Sequence, residues 1–266
     1  MNANQATNPT TAINMPFSKR ISIFLYGIIS YAIFFITFLY AIGFVGNLYV
    51  NNTIDGDPTL ALLPALAINL LLLAIFAIQH SLMARPFFKA FLTQYIAKEA
   101  ERSTYVLFSS LALILLFYFW QPLGGMIWQF EAGIIANLLW AGFAFGWLLV
   151  LYSTFEINHF DLFGLRQVWL CLRNRAYMSV VFKKPLLYRL VRHPLYVGWF
   201  FAFWCTPTMT LTHLLFAVAT SIYILIAIRL EEKDLLQAHG EDYRQYQQQV
   251  PMLIPFTKKS IKAESS

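Results

Sequence analysis

Residues 189–204 read RLVRHPLYVGWFFAFW: two arginines, a histidine and a proline stand directly ahead of an apolar and aromatic run. The apolar character continues from Leu195 to Ile228, with Pro207 near its middle. A helix crossing the hydrocarbon core takes roughly 20 apolar residues. The stretch is therefore too long for one span and barely long enough for two. It reads as a helical hairpin, with a short first arm to Cys205 and a longer second arm from about Thr210. The first arm either extends backwards through 186–194 or stops short of a full crossing. Pro194 suits the first turn of that arm, because the N–H it lacks would be unpaired there anyway.

Four further apolar segments precede the hairpin, at about Ile21–Val45, Thr59–Met83, Ser103–Trp120 and Ile134–Phe155. The chain is 59% hydrophobic and 12% charged, against about a quarter charged in a soluble domain. The expectation is an all-α, polytopic membrane helix bundle of about five full spans. A C-terminal helical hairpin and a cytoplasmic cap, made from 156–194 and 229–256, complete it. Residues 1–20 read as a disordered cytoplasmic leader, 21–256 as a single membrane domain and 257–266 as a cytoplasmic tail.

All 19 Lys and Arg residues fall in the segments 19–20, 85–102, 156–194 and 229–262. The connections 46–58 and 121–133 and the hairpin tip have none. Basic residues on alternate connections set orientation, which predicts cytoplasmic N- and C-termini in a bacterial-type inner membrane. The net charge of +6 is then topological, and no nucleic-acid partner is implied. Two cysteines, Cys171 and Cys205, make neither a disulfide framework nor a zinc spacing, and no metal is expected.

Topology does not require the remaining polar groups. Gln79 and His80 end the second span, while Glu156, Asn158, His159 and Asp161 follow the fourth. Arg189, Arg192 and His193 precede the hairpin, and Glu231 and Glu232 leave it. All are delivered to one membrane face, where ionisable groups are costly and point to function. Each also has a structural reading: snorkelling arginines, an interfacial histidine, the start of a solvated helix. His213, near the tip and so at the opposite face, has the bland, structural reading, and His239–Gly240 reads as a helix end. The helix start at Pro194 offers free N–H groups to an anion, and Tyr243 and Tyr246 offer a flat face to a base.

The segment RHPLYVGW, followed after the hairpin by RLEEKDLLQAHGEDYRQYQQQVPMLIP, resembles the carboxy-terminal half of the isoprenylcysteine carboxyl methyltransferase superfamily. Upstream, QHSLMARPFFK and NHFDLFGLRQVW look like its branch of methanethiol S-methyltransferases. The likeness covers about residues 70–256. It implies S-adenosylmethionine as methyl donor, with cofactor roles carried to Tyr188, Val191, Arg192, His193, Tyr196, Glu231, Glu232, Tyr243 and Tyr246. Where the family commonly has Phe-Gly ahead of the tail tyrosines, this chain has His239–Gly240. No GxGxxG follows a strand, so a Rossmann-type methyltransferase domain is not indicated.

The implied reaction methylates a small thiol, methanethiol, to dimethyl sulfide. The thiolate is the nucleophile, so a base is needed, and histidine suits it. His80, His159 and Asp161 are the candidates, in a His–Asp arrangement with Arg166 ordering the loop. A volatile apolar thiol partitions into the lipid bilayer, which accounts for a membrane enzyme. The alternatives are methylation of a prenylcysteine carboxylate or lipid amine, and a non-enzymatic membrane assembly factor.

Overall fold

The computed structural model describes residues 15–178 and 185–257. Five helices among the described residues are long and apolar enough to cross a membrane. They are α1 (Phe17–Gly46), α2 (Leu62–Met83), α4 (Glu101–Phe119, continuous with a 3-10 turn from Lys98), α5 (Ile134–Ile157) and α10 (Leu211–Gln249). The shorter helices are α3 (Pro86–Leu92), α6 (His159–Leu162), α7 (Leu165–Leu172), α8 (Leu186–Leu190) and α9 (Pro194–Trp204). The chain is an integral membrane helix bundle, as its composition requires. The leader differs from expectation at its end: α1 starts at Phe17, so Lys19 and Arg20 are helical. The rest of the expected leader, up to residue 14, and the tail beyond 257 lie outside the described residues.

Contacts divide the chain into two compact units. The first comprises Met1–Tyr40, Ala74–Leu116 and Asn158–Phe182. Here α1 packs on α7 through Ile23, Val168 and Cys171, joined by Ala100. Gly27 makes this approach possible, since a Cβ there would stand 2.6 Å from Val168 Cγ2. Arg20 Nη1 donates to Leu172 O at 3.0 Å, and Tyr26 donates to Thr104 Oγ1 at 2.9 Å. Gly164, at φ +86°, turns the chain from α6 into α7 against Ser103, where a Cβ would stand 2.7 Å from Ser103 Oγ.

The second unit comprises Ala41–Leu73, Phe117–Ile157 and Lys183–Ser266. Its closest helix pair is α5 with α9. A Cβ on Gly146 would meet Ala202 N at 2.4 Å, and one on Gly198 would meet Val150 N at 2.8 Å. Small residues let two membrane helices approach backbone to backbone.

α9 has only 11 residues, a length of about 16 Å, roughly half the hydrocarbon thickness. The hairpin tip nevertheless reaches the connections that lack Lys and Arg. Thr208–Thr210 (β2) pairs antiparallel with Met126–Gln129 (β1), and Thr210 donates to Asp55. The extended segment after α9 gains about 3.3 Å per residue, more than twice a helix, and so completes the distance. Extended backbone at such depth has to be paired. Trp128 Nε1 donates to Thr206 O at 3.0 Å and Phe130 N to Pro207 O at 3.0 Å. The carbonyl of Phe203 would bond the N–H of residue 207, which is a proline without one. His213 Nε2 replaces it at 2.9 Å. The short sheet was not foreseen, because neither strand alternates in hydrophobicity and each is paired only by tertiary placement.

Candidate active site

In the second unit, the RHP segment, the two glutamates and the end of the chain interlock. Pro194 is the first residue of α9 as expected, with His193 as its N-cap. Glu232 is the hub. Its Oε1 accepts from Arg192 Nε at 2.6 Å and His193 Nε2 at 3.0 Å, and its Oε2 accepts from Gln247 Nε2 at 2.9 Å. Arg192 Nη1 also donates to Val250 O at 2.6 Å and Gln247 O at 3.1 Å. The backbone closes the same junction, Arg192 N to Pro251 O and His193 N to Met252 O. Charge-assisted bonds of this kind are about twice as strong as neutral ones.

This geometry gives several of the expected cofactor residues structural partners. The Arg192 guanidinium is buried and clasps the chain end. The N–H groups of Tyr196 and Val197 both close on His193 O, so the first turn of α9 uses them internally. Tyr243 and Tyr246 are 1% and 3% exposed, packed with Val250, Leu235 and Leu236. Their rings therefore build the cap and present no stacking face. Tyr246 Oη donates to Tyr188 O at 2.5 Å, which holds α8 against the tail. Val191 is buried in extended backbone between α8 and α9. The Tyr188 phenol is pushed up by burial and then by the nearby Glu231 charge, so it stays protonated. Gly240, at φ 54°, breaks α10 where the sequence marks a helix end.

Glu231 differs from its neighbour. Its side chain is 48% exposed, Tyr196 Oη donates to its Oε2 at 3.0 Å, and His193 Nδ1 lies 3.9 Å from that oxygen. It is the carboxylate of this cluster that can still receive a cationic ligand. Glu156, at the end of α5, accepts from Leu187 N at 3.0 Å and so tethers α8.

The candidate bases lie in the first unit. His159 is 4% exposed, and its Nε2 is 2.8 Å from Tyr31 Oη. Its ring packs at 4.8 Å from Phe163 and 5.6 Å from Phe160. Burial holds its pKa below the ordinary histidine value, so it is neutral at neutral pH. Asn158, with φ 126° and ψ 86°, precedes it and accepts from Asp161 N. A non-glycine residue in that region stores strain, which clusters at functional sites. His80 meets Tyr105 Oη at 2.8 Å from Nε2 and Ser109 Oγ at 3.1 Å from Nδ1.

Asp161 was expected to orient a histidine. Its Oδ1 instead accepts from Arg166 Nη1 at 2.9 Å and its Oδ2 from Tyr177 Oη at 3.1 Å. Arg166 also donates to Met178 O, so its expected loop-ordering part has a direct geometric form. Sequence reasoning missed Tyr31, Tyr105 and Tyr177. The signal it could have used is a hydroxyl-bearing ring inside an otherwise apolar helix.

No family model matches the chain, and no solved structure does. Curated proteins do. The chain is 54% identical over 243 residues to the methanethiol S-methyltransferase of Crocosphaera subtropica, covering 91% of this chain and 95% of that one. The chain belongs to the methanethiol S-methyltransferase family. Methanethiol S-methyltransferase 1 of Bradyrhizobium diazoefficiens is also 54% identical, over 88% of this chain and 82% of the relative. Nurim of Rattus norvegicus is 31% identical over 70% of this chain and 74% of its own length. Membership of this methyltransferase family agrees with the resemblance carried by the RHP, EE and QHS segments.

Proposed function

We propose that this protein methylates methanethiol to dimethyl sulfide with S-adenosylmethionine at the cytoplasmic face of a bacterial inner membrane. The observation that carries the reading is the likeness over most of the chain to proteins named for that reaction. The chemistry of the RHP cluster fits the donor. Half-exposed Glu231, with Tyr196 and His193 beside it, offers a carboxylate and aromatic surface to a molecule carrying an ammonium and a sulfonium. When bound, that molecule supplies an electrophilic methyl group. The chain's own work is to hold it, to exclude water and to take a proton from the thiol.

In this reading Arg192, Glu232, Tyr243 and Tyr246 act by building the cap. Glu231, Tyr196 and Tyr188 form the surface that meets the ligand, with His193 and Val191 buried directly behind it. His159 and His80 are the imidazoles available as bases, and Asp161 with Arg166 orders the loop between α6 and α7. The alternation of basic and non-basic connections supports cytoplasmic termini. Residues 21–256 work as one methyltransferase domain. Headspace gas chromatography of membranes given methanethiol and S-adenosylmethionine tests the reading. Dimethyl sulfide dependent on both additions is expected, and its absence from folded protein refutes it.

A second reading has an observation in its favour. An open apolar groove of about 530 Å³ runs along α5, lined by Phe145, Leu148, Tyr152, Phe155 and Leu187. Such a groove suits the chain of a prenylcysteine or a lipid amine. Methyl label recovered in the lipid fraction in preference to the headspace would favour this alternative.

A further inference from the structure

Resting on the thiol methyltransferase reading, we propose that Tyr31 is a catalytic residue: its phenol takes the thiol proton and passes its own proton to His159. Tyr31 comes from the middle of α1, a helix with none of the motifs that carry the family resemblance. Its hydroxyl stands 2.8 Å from His159 Nε2, within ordinary hydrogen-bond range. The two rings meet edge to face, with centroids 5.8 Å apart. This edge contact directs the phenol oxygen at the imidazole nitrogen.

Exposure orders the pair. His159 is 4% exposed and walled by Phe160 and Phe163, while Tyr31 is only partly buried. A small thiol arriving from an apolar medium therefore meets the phenol before the imidazole. The aromatic surroundings, Phe34, Phe35 and Phe163 around the Tyr31 ring, suit an alkyl thiol and disfavour water. The phenol stays neutral throughout, because it gains the thiol proton as it gives up its own, and the His159 imidazole is the net base, the side chain most often used for that task. The adjacent charges, Asp161 and Arg166, are paired with each other at 2.9 Å, so they offset one another.

The step balances. The thiol S–H bond breaks and its proton goes to the Tyr31 oxygen. The phenol's original proton goes to His159 Nε2, which becomes an imidazolium. The electron pair stays on sulfur, which then forms its bond to the methyl carbon of S-adenosylmethionine as that carbon's bond to the donor sulfur breaks. The imidazolium later returns its proton to solvent. His80 is less suited, because hydroxyls of Tyr105 and Ser109 stand at hydrogen-bond distance from both its ring nitrogens.

Tyr31→Phe removes one oxygen and keeps the ring. Its turnover of methanethiol at neutral pH is expected to fall by about 10²-fold or more, with S-adenosylmethionine binding by calorimetry unchanged. The deficit should shrink about tenfold per pH unit as more thiol ionises unaided. His159→Gln should lose a similar factor, and the double variant should be no slower than the slower single variant, because both act in one relay. The ¹⁵N signal of His159 in labelled protein should move in Tyr31→Phe, which reads the contact without turnover. Wild-type activity in Tyr31→Phe, a deficit independent of pH, multiplicative losses in the double variant or an unmoved His159 signal would each overturn the relay. Absence of thiol methylation by the wild-type protein would instead overturn the reading on which it rests.

Discussion

Two histidines of the second unit sit beside carboxylates, and they do different work. His193 lies in a motif, beside the segment around Met252 that folds back to meet it, and shares Glu232 with Arg192. His213 lies in no motif and is 0% exposed. Its Nε2 donates to Phe203 O, and its Nδ1 stands 3.8 Å from Asp55 Oδ2. A carbonyl only accepts, so Nε2 carries a proton. Asp55 is also held by Thr210 and Asn47. The bland, structural reading of His213 thereby gains its partners. Its part is to satisfy the backbone that Pro207 leaves unpaired and to tie the tip to the 46–58 connection. The contrast teaches that burial next to a carboxylate does not by itself mark a binding site. Cost of removal and effect on ligand must be measured separately.

Arg192→Met makes the sharpest break. It strips three bonds from the cap and leaves Glu232 partly unmatched, a change worth about 3–5 kcal/mol where a buried pair loses one partner. Detergent-solubilised protein should show a large fall in Tm and no measurable S-adenosylmethionine binding. Retained affinity would mean that the cap does not build the cofactor surface.

His213→Ala comes next. It leaves the Phe203 carbonyl unpaired, for about 1–3 kcal/mol, while S-adenosylmethionine affinity at low temperature should stay near wild type. If affinity falls as far as stability, the separation between the two histidines collapses. Within the cap, Glu231→Gln should change stability by under about 0.5 kcal/mol, as exposed substitutions do, yet weaken cofactor binding. Glu232→Gln should do more to stability. Equal behaviour of the two would refute their division into ligand contact and brace.

The smallest effect concerns pH. Burial raises the Asp55 carboxyl, but the His213 imidazole facing it and hydrogen bonds from Thr210 and Asn47 outweigh that and hold the group below the usual carboxylate range. A depressed carboxyl contributes stability that is fully present above its unfolded value, about 3.9, and is lost as pH falls through the folded value. Thermal unfolding should therefore steepen its pH dependence below about pH 4, and Asp55→Asn should flatten that limb. An unchanged acid limb would remove Asp55 from the tie.

Much of the architecture was legible because it follows from composition and period. Runs such as Ile134–Phe155 can be satisfied only in lipid, and the Lys and Arg residues sort onto alternate connections. Pro194 and Gly240 mark helix boundaries by backbone chemistry that needs no neighbour. The RHP and EE segments were likewise visible as a group. What they do to one another was not, because the reach of Arg192 to Val250 O depends on a return of the chain that no local pattern encodes.

The sequence by itself determined the membrane bundle, the hairpin and the family, since hydrophobic length, charge alternation and motif residues are properties of the chain read in order. Only the tertiary structure decided that Glu232 is a brace and Glu231 a surface, that Asp161 serves Arg166 and Tyr177, that Tyr31 meets His159, and that His213 replaces a missing N–H. Each of these is a matter of which polar group faces which across large separations in sequence. In a low-dielectric interior a few ångströms decide whether a polar group is paired, and composition carries no information about such distances.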